Sequence, residues 1–340
     1  MVFKKIFNGR ALCVDRETIW VAKGMSFYGI DYNGKCVTPI YRVGTIVEKF
    51  AGKFRLLRQL LRIGIHHLVL LKNENILVVL KKRTLIIDKY GNIISKFSEY
   101  KGNKPSHRGV CITPDGTVFL GEYSLNLKRE NDTRLFRSTD NGNYFNCILT
   151  FPQNEVCHIH FIQWDKYENC LWLGTGDKDH ECKLLKSIDN GDTWQTIGAG
   201  SQMWRSVGIS CTEDALYWGT DAGSVPDKNY IIRMDRRTCK VEKLMELEGP
   251  CHGNVVLDDD TVFVSTGVEG GENEKDRIAR LRKVSRNGIE LIHEAQKDIF
   301  PLILQYGVMR FPIGMESTHK IIFTEYALKK GGEVVHISNE

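Results

Sequence analysis

Long apolar segments are missing from this sequence of 340 residues. No run approaches the roughly 20 consecutive apolar residues that a membrane-spanning helix requires. The first residues, from Met1 to Phe7, also lack the apolar stretch of a signal peptide. We therefore expect neither a transmembrane segment nor a secretory leader.

Closely spaced cysteine motifs are also missing, although the chain has ten cysteines. None belongs to a CxxC pair or shows the ligand spacing of a zinc site. Cys13, Cys111 and Cys170 lie within apolar, strand-like runs. This placement is typical of buried, reduced thiols in a reducing compartment, so the expected localisation is cytoplasmic.

A strong excess of charge of one sign is absent as well. The 47 lysines and arginines and the 42 acidic residues leave a formal net charge of +5. A mild excess of this kind does not indicate a nucleic-acid-binding protein, which shows a clustered basic face. We expect no nucleic-acid partner.

What the sequence does contain is a repeated pattern of four short β-type runs. Residues 107–112, 118–123, 134–138 and 145–151 form one such unit, with turns rich in Gly, Asn and Asp between them. The first run recurs at residues 10, 66, 160, 205, 252 and 306, at intervals of 42 to 56 residues. A period of about 40–50 residues with four strands per unit is typical of propeller blades. The pattern predicts an all-β, seven-bladed β-propeller that forms a single domain over residues 1–340.

The last repeat is one strand short. It ends at Ile337 after its third strand, whereas residues 2–7 have strand character and precede the first repeat. We therefore predict that this N-terminal strand completes the last blade, which removes the open edges of the sheets.

One segment, about residues 46–62, breaks the β pattern. Its apolar residues recur with helical spacing, and they are Ile46, Val47, Phe50, Phe54, Leu57 and Leu61. Much of the remaining surface is basic. We predict one inserted basic amphipathic helix that packs on the propeller with its charged face in solvent. The alternative is a peripheral contact with a membrane surface or a partner.

Two turns match a known motif. Residues 187–194, with the sequence SIDNGDTW, fit the Asp-box pattern S-x-D-x-G-x-T-W, and residues 138–145 form a second copy that ends in Phe. The Asp side chain can accept backbone N–H bonds within such a turn, and the Gly allows a positive φ. Here the chain resembles the sialidase-like Asp-box propellers. The resemblance implies the fold and a stabilising role for the turns, on the face away from the active site, and it does not imply an activity.

The first residue of each predicted inner strand is Arg, His or Tyr. Inner strands line the central channel of a propeller, so we expect these positions to converge on one rim. They are Arg10, His66, Arg108, His160, Arg205, His252 and Tyr306. His107, His158 and Trp204 flank the same rim, and the ends of the second strands return Glu122 and Asp177 to it. Polar residues beside a channel are ordinary, but so uniform a set favours a functional role.

This residue set suits an acidic sugar, because arginines pair with carboxylates and His and Tyr transfer protons. In this respect the chain resembles the seven-bladed propeller lyases that cleave uronate polysaccharides. The resemblance implies β-elimination, in which Arg neutralises the carboxylate, one group takes the C5 proton and another protonates the leaving oxygen. We assign catalysis to His160, His252 and Tyr306. We assign substrate binding to Arg10, His66, His107, Arg108, His158, Trp204, Arg205, Glu122 and Asp177.

Two other functions stay open. Sialidase chemistry requires three arginines, a Tyr nucleophile with a Glu partner and an acidic Asp. Arg108, Arg205, Arg310 and Tyr306 are candidates, but Arg310 lies near the C-terminus and true sialidases have six blades. A non-catalytic propeller that binds a glycan or a protein beside a polysaccharide-assembly machine is the other alternative. No cofactor is expected, although a divalent metal on the rim histidines His66, His160 and His252 is not excluded.

Overall fold

The strands form seven four-stranded antiparallel sheets. The computed structural model describes residues 1–285, 288–329 and 331–339, and these residues hold 28 strands and two short α-helices. The predicted all-β, seven-bladed β-propeller is confirmed. The chain forms two compact units, residues 1–65 with 209–340 (unit 1) and residues 66–208 (unit 2).

The N-terminal part of unit 1 contains the first blade and the helical insertion. Its strands are β1 (Phe3–Phe7), β2 (Arg10–Asp15), β3 (Thr18–Lys23), β4 (Ser26–Ile30) and β5 (Tyr41–Arg42). The helices that follow are α1 (Ile46–Ala51) and α2 (Arg55–Leu60).

Unit 2 contains blades two to four. Blade two consists of β6 (His67–Leu70), β7 (Ile76–Leu80), β8 (Arg83–Ile87) and β9 (Ile93–Phe97). Blade three consists of β10 (Val110–Ile112), β11 (Val118–Gly121), β12 (Thr133–Ser138) and β13 (Asn146–Phe151). Blade four consists of β14 (His158–Asp165), β15 (Cys170–Gly176), β16 (Lys183–Ser187) and β17 (Gln195–Ala199), with 3₁₀ turns at Asp179–Glu181 and Gln202–Trp204.

The C-terminal part of unit 1 contains blades five to seven. Blade five consists of β18 (Ser210–Cys211), β19 (Ala215–Gly219), β20 (Asn229–Asp235) and β21 (Val241–Leu247). Blade six consists of β22 (Cys251–Val256), β23 (Val262–Thr266), β24 (Ile278–Ser285) and β25 (Gly288–Gln296). Blade seven contains β26 (Val308–Arg310), β27 (Ile322–Tyr326) and β28 (Glu333–Ser338), with a 3₁₀ turn at Met315–Ser317.

The N-terminal strand completes the last blade, as predicted. β1 pairs antiparallel with β28, and the blade has the order β1-β28-β27-β26. Phe3 lies opposite Ser338 and Phe7 opposite Val335. The ring of Phe3 also packs edge-on against the ring of Phe323, with centroids 5.1 Å apart, so the closing strand contributes an aromatic side chain as well as its hydrogen bonds.

The inserted segment is helical, but it forms two short helices in place of the single helix predicted for residues 46–62. α1 begins with a capping box, in which Thr45 accepts from the Glu48 N–H and the Glu48 carboxylate accepts from the Thr45 N–H. It ends at Gly52, which approaches the β3–β4 turn so closely that a Cβ there would lie 3.1 Å from Met25 Cγ and 3.5 Å from Gly24 Cα. Phe54 then adopts an extended conformation before α2 begins.

The orientation of the insertion is the reverse of the expected one. Arg58 faces the propeller, where it donates to Glu333 at 3.0 Å, and Arg55 donates to Asp298 at 2.8 Å. The bulky apolar side chains remain exposed. The physical reason is the buried carboxylate of Glu333, which requires positive partners and attracts the basic face of α2 inward.

None of the ten cysteines forms a disulfide, and seven of them are buried. Within the described part of the chain, no helix is both long enough and apolar enough to cross a membrane.

Both turns that match the Asp-box pattern have the expected hydrogen bonds. In the β16–β17 turn, the Ser187 hydroxyl donates to Asp189 at 2.8 Å and accepts from the Gly191 N–H at 2.9 Å. Asp189 also accepts from the Thr193 N–H at 2.9 Å. The β12–β13 turn repeats this arrangement with Ser138, Asp140, Gly142 and Tyr144.

Candidate functional site

Two buried histidines face each other at the start of blade four. His158 and His160 are the first and third residues of β14, so their side chains lie on the same face of the strand. Their Nε2 atoms are 3.0 Å apart. The Nδ1 of His158 lies 3.1 Å from the Ser124 carbonyl oxygen, and the Nδ1 of His160 lies 3.0 Å from the Ser206 carbonyl oxygen. Because a carbonyl can only accept, both Nδ1 atoms carry hydrogen, and the two Nε2 atoms are the reactive ones.

Asp177 completes this group from the end of the neighbouring strand. It directly follows β15, and its Oδ1 lies 3.4 Å from His158 Nε2 and 3.5 Å from His160 Nε2. The Arg205 guanidinium contacts the same oxygen at 3.2 Å and donates to the Asp177 carbonyl at 3.2 Å. Gly176 leaves the necessary space, because a Cβ there would lie 2.7 Å from His160 Cε1. We call His158, His160, Asp177 and Arg205 the blade-four cluster.

The geometry of the two histidines requires a shared proton or a shared cation. Two bare Nε2 lone pairs would repel each other at 3.0 Å, so in the absence of a cation one ring is charged and donates to the other. Burial lowers the pKa of His158, but its contacts with Asp177 and Cys157 outweigh burial and raise the pKa to about 9. Burial and the charge of His158 lower the pKa of His160 to about 4. The cluster therefore holds a proton donor beside a neutral acceptor at neutral pH.

Asp177 stays ionised throughout this range. Burial raises its pKa, but the hydrogen bonds and charges of the two histidines outweigh burial and hold the pKa of this carboxyl well below its usual range. Its negative charge balances the single charge of the histidine pair. Arg205 adds a second positive group at the more exposed side of the cluster, since its side chain is 18% exposed and that of His160 only 3%.

The same donor set fits a divalent metal. His158 Nε2, His160 Nε2 and Asp177 Oδ1 are 3.0 to 3.5 Å from one another, a spacing compatible with ligands about 2.0–2.2 Å from one ion. Both Nδ1 atoms donate to backbone carbonyls, as metal-binding histidines commonly do. Cys157 also belongs to a group with His158 and Asp177 that could hold a metal ion. Arg205 would have to give up its contact with Oδ1 to make room.

Two residues that the sequence analysis missed position Asp177. Arg129 donates to both oxygens of Glu181, at 2.7 and 2.8 Å. Glu181 is fully buried and accepts from the backbone N–H of Asp177 at 2.9 Å. Neither residue lies at a strand start or a strand end that the blade alignment would have selected, so the sequence pattern contains no signal for them.

Glu122, which was predicted to bind substrate, has structural partners. It is buried, and its carboxylate accepts from the Arg134 guanidinium at 2.7 Å and from the backbone N–H groups of Lys101 and Arg134. These bonds connect the end of β11 to the start of β12. Both oxygens are used within the protein and the side chain is buried, which indicates a structural role, and the assignment of Glu122 to substrate binding stays a prediction.

The other predicted residues of unit 2 are half-buried. They are His66, His107, Arg108 and Trp204. The backbone of Arg108 forms an isolated parallel β-bridge with Phe161 of β14, which brings the start of blade three beside blade four. Trp204 packs over Gly198, where a Cβ would lie 2.2 Å from its ring. Their roles in substrate binding stay predictions.

His252 and Tyr306 belong to a group of residues in unit 1. His252 Nε2 lies 3.4 Å from Glu269 Oε2, and Asp221 joins these two residues in a group that could hold a metal ion. Burial lowers the pKa of His252, but the Glu269 carboxylate outweighs this effect and raises it. The Tyr306 ring lies 6.2 Å from the His252 ring, and burial beside Glu269 raises the pKa of its hydroxyl. That His252 and Tyr306 share a pocket with residues of unit 2 stays a prediction.

Arg10 pairs with a carboxylate of its own unit. Its guanidinium donates to Glu333 Oε1 at 2.9 and 2.7 Å, and Arg58 contacts the other oxygen of Glu333. Arg10 also lies 5.6 Å from the Tyr326 ring centroid, and Arg310 lies 5.5 Å from the same centroid. Glu333 thus holds Arg10 and Arg58, and the Tyr326 ring lies against Arg10 and Arg310.

No protein-family model and no curated protein sequence matches the chain significantly. The fold is similar to that of several solved structures. Oligogalacturonate lyase from Vibrio parahaemolyticus aligns with 98% of this chain and 89% of its own, with a TM-score of 0.60 and 12% identity. Oligogalacturonate lyase in complex with manganese aligns with 98% of this chain and 90% of its own, with a TM-score of 0.59 and 12% identity. The WD40 domain of Neurospora crassa Pan2 aligns over 99% of this chain and 96% of that domain, with a TM-score of 0.56 and 9% identity.

Other similar structures are much longer than this chain. The chain spans 39% of the extracellular domain of a hybrid two-component system protein from B. thetaiotaomicron, with 98% of this chain aligned, a TM-score of 0.58 and 13% identity. It spans 47% of an ancestral GH74 enzyme, with 98% of this chain aligned, a TM-score of 0.54 and 11% identity. At such identities these likenesses establish the propeller fold and no activity.

Proposed function

We propose that this propeller acts on acidic glycans and cleaves them by β-elimination at a uronate. The observation that carries the proposal is the blade-four cluster, in which a protonated and a neutral histidine face each other beside an Arg–Asp pair. Its support from the comparisons is general, because oligogalacturonate lyases and a GH74 enzyme are among the proteins with this fold. The hydrogen-bonded turns at Asp140 and Asp189 support a relationship to Asp-box propellers.

The residues of the cluster match the three requirements of the reaction. The neutral Nε2 of His160 accepts the C5 proton, and the Nε2–H of His158 protonates the oxygen that leaves C4. Arg205 pairs with the uronate carboxylate and stabilises the charge that develops on it. The donor and the acceptor are only 3.0 Å apart, so the geometry suits an elimination in which both groups leave from the same face of the sugar.

Asp177 keeps this arrangement in place. Its carboxylate balances the charge of the histidine pair and holds both rings by contacts of 3.4 and 3.5 Å. A divalent cation held by His158, His160 and Asp177 would supply Lewis-acid polarisation of the uronate carboxylate. In either form of the site, Glu181 and Arg129 hold Asp177 through its backbone.

The test is an ultraviolet assay for unsaturated uronate during incubation with a panel of acidic polysaccharides. We expect His160→Ala to reduce turnover by about a hundredfold or more with little change in KM, because proton transfer acts mainly in the transition state. Arg205→Ala should weaken substrate binding by roughly 1.5–3 kcal/mol, the range for a charged hydrogen bond. His319→Gln is the matched control, because His319 is an exposed histidine outside the cluster.

A non-catalytic glycan-binding propeller is the second candidate. The observation that favours it is the 3.0 Å contact between His158 Nε2 and His160 Nε2, in which the proposed acid and base already engage each other. Under this alternative, calorimetry would show an acidic oligosaccharide bound by the wild type and weakened by Arg205→Ala. The polysaccharide panel would yield no unsaturated product and no new reducing ends.

A further inference from the structure

The inserted helices present an apolar surface to solvent. Its members, which we call the insertion patch, are Ile46, Val47, Phe50, Phe54, Leu56, Leu57, Leu60 and Leu61. Their exposed fractions range from 37% for Leu57 to 87% for Ile46. The Phe50 and Phe54 rings contact each other with centroids 5.4 Å apart, which joins α1 to α2 in one surface. An apolar patch of this kind on a folded protein marks a binding surface.

This exposure follows from how α2 docks. Its inward face carries Arg55, Arg58 and the buried Gln59, and both arginines have carboxylate partners in unit 1. Arg55 is held further by Gln305 and lies over the Phe300 ring at 4.1 Å. The polar face is thus bound to the propeller by specific contacts, so the leucines on the opposite face cannot turn inward without breaking them.

The exposed charges within the insertion itself are of one sign. Within residues 46–62, the exposed residues are the eight apolar members of the patch together with Lys49, Lys53 and Arg62. The single acidic residue of this segment, Glu48, is used by the capping box of α1. The patch also continues onto a neighbouring loop, because Arg62 contacts the Ile303 carbonyl at 3.5 Å and both Ile299 and Ile303 are exposed.

We propose that the insertion patch docks this protein on a lipid bilayer that contains anionic headgroups. Phe, Leu and Ile side chains enter the interface between headgroups and acyl chains, and Lys49, Lys53 and Arg62 meet the negative surface, as in interfacial amphipathic helices. A protein partner would also cover apolar side chains, but the absence of any exposed carboxylate in residues 46–62 matches an anionic lipid surface. The contact is peripheral and does not depend on the activity proposed above.

The experiment is co-sedimentation of the full chain with vesicles of phosphatidylcholine alone and of phosphatidylcholine mixed with phosphatidylglycerol. We expect binding to the mixed vesicles. Phe50→Ser combined with Phe54→Ser should weaken this binding by about tenfold or more, as should Lys49→Gln combined with Lys53→Gln. Leu125→Ser combined with Leu127→Ser is the matched control, because both leucines are exposed in unit 2, and it should bind like the wild type.

Three results would overturn the proposal. The first is retention on mixed vesicles by the Phe50/Phe54 variant, and the second is equal binding of the wild type to both kinds of vesicle. The third is a wild-type dimer in sedimentation velocity without lipid that the same variant converts to monomer, which would identify a second copy of the chain as the occupant. Circular dichroism of each variant confirms that a loss of binding is not a loss of folding.

Discussion

A second histidine–carboxylate group in unit 1 illustrates how a single buried charge is stabilised. Glu325 of β27 is buried and contacts His293 Nε2 at 2.7 Å and His336 Nε2 at 3.5 Å. The Phe323 ring stacks on the His336 ring, with centroids 5.2 Å apart. Burial raises the pKa of Glu325, but the two histidines outweigh it and lower the pKa to about 2. The ionised form is therefore the one that the folded protein favours.

This lowered pKa predicts a pH-dependent stability. A carboxyl whose pKa falls on folding stabilises the protein at pH values above the pKa of the unfolded state, which is about 4.5 for Glu325. This contribution is lost as the pH falls toward the folded-state pKa of about 2. For Glu325 the contribution amounts to about 3 kcal/mol. We expect the wild type to lose unfolding free energy between pH 4.5 and 2 more steeply than Glu325→Gln, in denaturant titrations at a series of pH values.

The control for Glu325 is Glu316→Gln, because Glu316 is exposed. This variant should keep the wild-type dependence on pH. Equal slopes for the wild type and Glu325→Gln would show that the two histidines do not hold the carboxyl in its ionised form.

Single residues also show where inference from sequence stops. His158, His160, Asp177 and Arg205 were all selected, because equivalent positions in the blades identify strand starts and strand ends. The alignment could not tell which of the selected residues bind one another, so Glu122 was assigned to substrate although it binds Arg134. Arg129 and Glu181 escaped selection because their pairing spans 52 residues and involves no strand start or strand end.

At the scale of elements, the two turns that match the Asp-box pattern are local structures whose hydrogen bonds span only a few residues. Ser187 is buried, and its hydroxyl bonds both Asp189 and the Gly191 N–H. In the β15–β16 register, Ser187 lies opposite Leu171 and Lys183 opposite Thr175. The turn is thus at the end of blade four remote from Asp177. Short-range contacts of this kind can be predicted from the local sequence.

We predict that Ser187→Ala lowers the unfolding free energy by about 1–2 kcal/mol, because it removes two hydrogen bonds of a buried hydroxyl. Glycan binding should stay at the wild-type level. Ser138→Ala, in the equivalent turn of blade three, should have a similar effect, and the exposed Ser98→Ala should have none. The measurements are chemical unfolding and calorimetric binding. Lost binding at unchanged stability would contradict a structural role for the turn.

The helical insertion, in contrast to these turns, depends on contacts between residues far apart in the sequence. Its helical spacing correctly predicted helix, but the direction of its faces depends on Glu333, which lies 275 residues from Arg58 in the sequence. A periodic pattern alone suggests that the apolar face packs inward. The ion pairs of Arg58 with Glu333 and of Arg55 with Asp298 reverse this preference, because they hold the polar face of α2 against the rest of unit 1.

For the whole molecule, the number of blades and the closing strand could be predicted because each repeat has its own strands and turns. The pairing of β1 with β28 followed from counting strands in the last repeat. The chemistry of the candidate site needed the structure, since the distance between His158 Nε2 and His160 Nε2 decides whether the two rings titrate separately or as a pair. The central claim is that this pair supplies both the acid and the base of an elimination.

The pH dependence of unsaturated-product formation tests this claim most directly. His160 must be neutral to accept a proton and His158 must be charged to donate one, so the rate should fall below a pH of about 4 and above a pH of about 9, with a broad plateau between them. His158→Gln should remove the alkaline limb together with most of the rate. A single limb near pH 6.5, the value of an isolated histidine, or no unsaturated product at any pH, would contradict the account.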